Sequence, residues 1–281
     1  MKNEPHTHST SPASARPCDS ELSSACELDQ SSHGEKMTNA RVAIVTGASR
    51  GIGAATAKLL AERGYAVCVN YLNAQDKADE IVDAIRKQHG KAIAVKADMA
   101  VENDVLRLFD TVDKELGLVT ALVNNAGTNG GICEVEHIQA DCLQTVFATN
   151  VFGTFYACRE AVKRMKQTRG GTIVNVSSEA AKFGGNKLAH YAASKAAVNT
   201  FTIGFAREVA PFNIRVNVVS PGVIDTDMHA SSPADRLQTL KNSLPMRRMG
   251  SADEVANTIM WLLSPDSSYL SGAIVPVTGA R

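Results

Sequence analysis

The sequence predicts an α/β chain built on one doubly wound parallel sheet of seven strands, with helices on both faces. Three observations predict it. Short apolar runs alternate with stretches of helical period from Arg41 to the end of the chain. The first apolar run leads straight into a glycine-rich turn that opens a helix. No linker-like change of composition interrupts the pattern after residue 40. Strands that alternate with helices call for right-handed βαβ crossovers, and these bury a parallel sheet on both faces.

The elements follow in order. Val42-Ala43-Ile44-Val45 is a buried strand, and Ile52, Ala55 and Leu59 mark the stripe of the helix after it. Ala66-Val67-Cys68-Val69 is the second strand, followed by Ala78, Ile81, Val82 and Ile85 at i, i+3, i+4, i+7. Ala92-Ile93-Ala94-Val95 is the third, followed by Val105, Leu108, Phe109 and Val112 at helical spacing. Ala121-Leu122-Val123 is the fourth. A long helical stretch over about 137–167 leads to the fifth, Thr172 to Val176. A helix over about 189–210 leads to the sixth, Ile214 to Val219. Val255, Ile259, Leu262 and Leu263 mark a last helix before the seventh strand, Ala273 to Val277.

Residues 1–38 stand apart. They are rich in Ser, Thr, Glu, Asp and His, with Leu22 and Leu28 their only large aliphatic residues. Such a segment buries too little apolar area to offset chain entropy, so disorder is expected there. It lacks the apolar centre of a secretory signal, and its acidic residues weigh against a mitochondrial presequence. Met37 stands at the junction and is a candidate start. Residues 39–281 are expected to form one domain.

Composition narrows the function. The chain has 281 residues, 29 basic and 29 acidic, and no net charge. A balanced charge argues against bulk binding of nucleic acid or anionic membrane. No apolar run approaches the roughly 18 residues of a membrane span. Six cysteines, Cys18, Cys26, Cys68, Cys133, Cys142 and Cys158, form no CxxC pair. A chain of this size needs no disulfide staples, so a reducing, cytoplasmic setting is expected, with Cys133, Cys142 and Cys158 as buried free thiols. His6 and His8 could ligate a metal, but an isolated pair in a disordered tail rarely does; His89, His137 and His229 share no ligand spacing, and no metal site is expected.

The turn Thr46-Gly47-Ala48-Ser49-Arg50-Gly51-Ile52-Gly53 brings backbone close to a helix N-terminus, which is where a pyrophosphate binds. This makes the sheet Rossmann-type. The spacing is G-x-x-x-G-x-G rather than the usual G-x-G-x-x-G. Tyr191 and Lys195 stand four apart, on one face of a helix. An ammonium near a phenol favours the phenolate, so the pair suits proton transfer near neutral pH.

These stretches resemble the short-chain dehydrogenases/reductases, across nearly all of residues 41–281. The glycine turn resembles the family's cofactor turn. Asn124-Asn125-Ala126-Gly127 resembles its NNAG element, which supports the sheet and borders the cofactor. Asp98 stands where the family's acidic residue meets the adenine. Pro221-Gly222 with Thr226 resembles the segment that meets the nicotinamide. The resemblance implies a catalytic tetrad of Asn150, Ser178, Tyr191 and Lys195. Ser178 would bind the substrate oxygen, Asn150 would hold a relay water, and Lys195 would also hold the nicotinamide ribose. The implied cofactor contacts are Gly47, Ser49, Arg50, Gly51, Ile52, Gly53, Asn70, Asp98, Asn124, Ala126, Gly127, Tyr191, Lys195, Pro221, Gly222 and Thr226. His190 is read as a neighbour of Tyr191 and not as the base.

The second strand leads into Asn70-Tyr71-Leu72, with no acid to hold the ribose hydroxyls and repel a 2′-phosphate. Arg50 stands in the glycine turn, where a guanidinium can meet such a phosphate; the alternative is a solvated surface arginine. NADP(H) is therefore preferred, with NAD(H) allowed. The expected activity is hydride transfer between nicotinamide and a ketone or 3-oxoacyl carbonyl. A glucose-dehydrogenase-like sugar or polyol dehydrogenase is the alternative, and a non-catalytic dinucleotide sensor a third reading. The region Asp225 to Met249 is expected to form a lid, and the family's habit implies a homotetramer.

Overall fold

A computed structural model describes residues 41–226 and 241–280. The expectations for residues 1–38 and for the centre of the lid lie outside the described residues.

Seven strands form one parallel sheet: β1 (Val42–Val45), β2 (Ala66–Tyr71), β3 (Ala92–Lys96), β4 (Ala121–Asn124), β5 (Gly171–Val176), β6 (Ile214–Pro221) and β7 (Ile274–Val277). Their order is β3-β2-β1-β4-β5-β6-β7. The order reverses between β1, which pairs Ile44 with Cys68 of β2, and β4, which pairs Leu122 with that same Ile44. Ligands of open α/β sheets bind at such a switch point, beyond the carboxyl ends of the strands. β1, β2 and β4 are buried throughout, so near-continuous apolar runs are what these positions require.

The helices are α1 (Gly51–Glu62), α2 (Gln75–Lys87), α3 (Glu102–Glu115), α4 (Ala140–Phe147), α5 (Gly153–Gln167), α6 (Ala180–Phe183), α7 (Ala189–Val209) and α8 (Ala252–Leu263). One core layer joins Val45, Leu60, Ile85, Ile259 and Leu262, so α1, α2 and α8 cover that face. The other joins Ile44, Leu108, Phe109, Ala161 and Met165, under α3 and α5. α8 begins with a capping box: Glu254 N–H donates to Ser251 Oγ at 3.1 Å, and Ser251 N–H to Glu254 Oε2 at 2.8 Å.

Two sequence expectations change. The buried face of α1 is Gly53, Ala54, Thr56, Ala57 and Leu60, while Ile52, Ala55 and Leu59 lie at its partly exposed margin. Small residues let α1 lie close to the sheet, and they give little hydrophobic signal. The helix expected over 137–167 starts at Ala140, and a π turn over Ala148–Phe152 divides it into α4 and α5. A π turn widens the helix by one residue and re-aims its side chains, and such turns are frequent at functional sites. Asn150 stands within it.

Candidate active site

The glycine turn is built from both sides of the switch point. Thr46 Oγ1, at the end of β1, accepts from the N–H of Asn125 and of Ala126, each at 3.0 Å. Asn125 Nδ2 donates back to the carbonyls of Thr46 and Gly47 at 3.0 Å. Gly47 has φ +61°, and a Cβ there would stand 2.9 Å from Ala126 Cα. A Cβ at Gly53 would stand 2.6 Å from both Gly47 O and Asn125 Nδ2. The chain can fold this tightly only with glycine at both places. No side chain caps α1, no acid stands in its first turn, and the first amides of a helix have no intrahelical partner. The turn therefore offers uncapped backbone donors and the positive end of a helix dipole. That donor set fits a dinucleotide pyrophosphate.

Ser49 and Arg50 lie at the open rim of this turn, Arg50 exposed and Ser49 partly so. The methyl group of Thr226 faces Gly51, 3.4 Å from where a Cβ would be, so the Pro221–Thr226 segment reaches back over the turn. Pro221 O accepts from Glu179 N–H at 3.0 Å, and Gly222 N–H donates to Val277 O at 2.9 Å. Asp98, partly buried beyond β3, accepts Ala100 N–H at 2.9 Å. Ile52 is partly buried against the core.

Asn70 and Asn124 turn inward. Asn70 Oδ1 accepts Gly47 N–H at 3.1 Å, and its Nδ2 donates to Ala97 O at 3.1 Å. Asn124 Nδ2 donates to Asn175 Oδ1 at 2.8 Å, and Asn175 in turn donates to Thr202 Oγ1 at 2.8 Å. Both are buried struts whose amides bind protein, so they shape the cofactor turn and the sheet rather than reach a ligand. Asn175 and Thr202 join them as supports that the sequence does not single out. An asparagine within the apolar run of β5 was the one available signal.

The proposed chemical groups converge beside this turn. Tyr191 and Lys195 lie one turn apart near the start of α7, with the ammonium 5.9 Å from the phenol ring centroid. Ser178, just past β5, lies near enough to Tyr191 to oppose the rise in its phenol pKa. Its neighbour Ser177 is buried and donates to Lys195 O at 3.2 Å, so its hydroxyl is engaged away from the phenol. Lys195 Nζ donates to Val176 O at 2.8 Å. Asn150 Oδ1 accepts Thr128 N–H at 2.8 Å, and its Nδ2 donates to Thr128 O and Ser194 Oγ, each at 2.9 Å. Gly127 lies between these groups: a Cβ there would stand 3.1 Å from Asn150 Oδ1 and 3.4 Å from Lys195 Nζ.

Electrostatics correct one expectation. Burial raises the Tyr191 phenol above its ordinary value, and Ser178 opposes that rise. The Lys195 ammonium, 5.9 Å from the ring centroid and directed to the Val176 carbonyl, does not outweigh that burial. Burial also pushes Lys195 down from 10.5 to about 8.

Of the three thiols expected to be buried, Cys158 is, whereas Cys133 and Cys142 are partly exposed on the loop and helix at the mouth of the site. Burial holds the thiols of Cys68 and Cys158 far above the usual range. Glu134, Glu136 and His137 lie close together on the surface, all exposed. Among the described residues no helix is long and apolar enough to cross a membrane.

Comparison with known proteins agrees with this geometry. A family model described as enoyl-(acyl carrier protein) reductase matches residues 47–279. The chain is 46% identical over 245 residues to an uncharacterised oxidoreductase, YgfF, of Escherichia coli K12, covering 85% of this chain and 99% of that one. It is 35% identical over 238 residues to the 3-oxoacyl-acyl-carrier-protein reductase FabG of Staphylococcus epidermidis, covering 84% and 97%. A solved 7α-hydroxysteroid dehydrogenase, complexed with NADH and 7-oxo glycochenodeoxycholic acid, superposes with a TM-score of 0.81 at 34% identity, covering 85% and 93%. The chain belongs to the short-chain dehydrogenase/reductase family, and it is an oxidoreductase that acts between alcohol and carbonyl with a nicotinamide cofactor.

Proposed function

We propose that this chain is an NADP(H)-dependent reductase of ketones or 3-oxoacyl thioesters, with Tyr191 as proton donor. The observation that carries the reading is that Tyr191, with Ser178 acting on its phenol and Lys195 one turn below, stands beside the uncapped glycine turn. Gly47, Ser49, Gly51, Gly53, Thr226 and the first amides of α1 would hold the dinucleotide, and Lys195 its nicotinamide ribose. When bound, the nicotinamide would supply the hydride for the carbonyl carbon.

The chain's own groups do the rest. Ser178 Oγ–H donates to the substrate oxygen and holds it beside the phenol. Tyr191 Oη–H gives its proton to that oxygen as charge develops on it. A phenol kept protonated by burial suits this direction, since the donor must arrive charged with its proton. The buried ammonium of Lys195 stabilises the phenolate left behind. Asn150 holds Thr128 on both its N–H and its carbonyl, and so keeps the wall beside Lys195 in place. A relay water would be taken by groups other than its occupied amide.

Arg50, exposed at the rim, and the absence of an acid after β2 support NADP(H) over NAD(H). The NADH of the steroid-dehydrogenase relative supports the second cofactor reading. Two relatives, a 3-oxoacyl reductase and a dehydrogenase complexed with 7-oxo glycochenodeoxycholic acid, both support a ketone carbonyl as the reacting group. Exposed Phe152 and Phe155 on the π turn and α5, with the Phe155 ring centroid 3.8 Å from that of Phe201, support association of copies into a homotetramer. Four free thiols among the described residues accord with a cytoplasmic, reducing setting.

The test is a fluorescence titration of wild type and Arg50→Ala with NADPH and NADH, followed by turnover on ketones, 3-oxoacyl thioesters and sugars. NADPH should bind more tightly to wild type, the gap should narrow in the variant, and carbonyl reduction should dominate. Tighter NADH binding with sugar oxidation would replace this reading with the polyol-dehydrogenase one.

A further inference from the structure

We propose that His190 is a positioning residue of the carbonyl site. It anchors the Asn129–Gly130 wall to the turn of α7 that bears Tyr191. This rests on the reading of Tyr191 given above.

His190 is 3% exposed and immediately precedes Tyr191. Its Nε2 lies 2.8 Å from Asn129 O. A carbonyl only accepts, so Nε2 carries the proton of this bond and Nδ1 is the remaining ring nitrogen. That Nδ1 is buried and has no protein partner. A purely space-filling role would be served by an apolar side chain without this cost. The imidazole is therefore held for the bond that its other nitrogen makes.

The wall it holds is short and gripped at both ends. Asn150 binds the N–H and carbonyl of Thr128, and Asn150 lies against Lys195 across Gly127. His190 binds the next carbonyl, and it adjoins Tyr191. The proton donor and the lysine thus each have one anchor on the same three-residue segment. Gly130 follows with φ +69°. A Cβ there would stand 2.5 Å from Val146 Cγ2, 2.9 Å from Cys142 Sγ and 3.0 Å from His190 Nε2. The Cys142 thiol donates to Gly130 O at 3.2 Å. The wall is seated in the seam between α4 and α7 with no room to spare. A second tie lies outside it, where Cys133 N–H donates to Lys187 O at 2.9 Å and Lys187 Nζ pairs with Glu134 at 2.9 Å. The role of His190 is to fix the distance between this wall and the phenol, and so to set how well the substrate carbonyl is presented.

Two variants of the full chain test this. His190→Leu keeps bulk and removes the donor. His190→Gln places an amide N–H where Nε2 stands. KM and kcat for the best ketone, NADPH binding by fluorescence, thermal stability, and hydrogen–deuterium exchange of the peptide carrying Thr128–Gly131 would be compared. His190→Leu should raise KM about tenfold, the scale of losing one buried hydrogen bond, with a smaller change in kcat. NADPH binding should stay within about twofold, because the pyrophosphate turn is untouched. Exchange at Thr128–Gly131 should accelerate, and His190→Gln should restore both KM and protection. Wild-type KM and protection in His190→Leu would overturn the anchor. Equal damage and equal loss of stability in both variants would overturn it in favour of packing alone. If wild type reduces no carbonyl while exchange still responds as expected, the reaction assigned to the site fails and the anchor stands.

Discussion

Lys195→Met separates the chemistry of the site from its effect on stability. Lys195 is 5% exposed and donates to Val176 O at 2.8 Å. Burial lowers its pKa from 10.5 to about 8. A fall of that size sets about 3 kcal/mol against the ammonium in the folded chain. Below about pH 8 the lysine is charged in both states, and the folded state bears the whole penalty. Between about 8 and 10.5 the unfolded chain binds a proton that the folded chain does not, so stability rises with pH. Above 10.5 the penalty is gone. Methionine has similar bulk and no charge. The stability difference between wild type and Lys195→Met should therefore shift in favour of wild type by about 3 kcal/mol across this window. Other tyrosines and cysteines titrate in both proteins and cancel in the difference. The lost bond to Val176 O displaces the variant's curve by a constant. Urea unfolding at 25 °C, repeated from pH 7 to 10.5, measures the shift. Parallel curves would refute the reasoning, because they would mean that burial does not burden the ammonium. Turnover should fall by about a hundredfold or more in the same variant, the scale of a lost acid–base partner.

Two further substitutions probe the supports. Gly53→Val drives a side chain toward Gly47 O and Asn125 Nδ2, 2.6 Å from where its Cβ would stand. It should cost about 1–3 kcal/mol of stability and at least tenfold in NADPH binding, read by urea melts and by fluorescence titration. Glu160, buried on α5, is bonded to Arg164 at 2.9 Å, Lys163 at 2.7 Å and Arg159 at 3.2 Å. Burial pulls its carboxyl up, but these cations outweigh it and hold the group below the ordinary 4.5. The stabilisation is thus present above that value and fades as pH falls through the lowered one. Glu160→Gln should cost about 2 kcal/mol at pH 7, and the loss should shrink toward pH 3.

The parts that the sequence made legible are local. β1, β2 and β4 read as apolar runs because a central parallel strand is buried on both faces. The glycine turn and the Tyr191–Lys195 spacing are contiguous, so each carries its geometry in its own residues. What escaped depends on tertiary direction. The buried face of α1 runs through Gly53, Ala54 and Ala57, too small to stand out against Ile52 and Leu59. The π turn at Asn150 follows from the grip of that side chain on Thr128 and Ser194, which lie 22 and 44 residues away. The family resemblance implied Asn70 and Asn124 as cofactor contacts, but their amides are engaged with Gly47 and Asn175 inside the sheet. Lys195 read as the group that lowers the phenol, whereas its ammonium is turned to the Val176 carbonyl.

The most direct test of the central claim is a single-turnover measurement with Tyr191→Phe. Enzyme saturated with NADPH would be mixed with the best ketone, and loss of reduced-nicotinamide absorbance followed. The phenylalanine keeps the ring and removes only the proton donor. The account predicts that NADPH binds as in wild type while reduction slows by about 10²–10⁴-fold, the range for loss of a general acid. Reduction at the wild-type rate would contradict it and move the proton to another group.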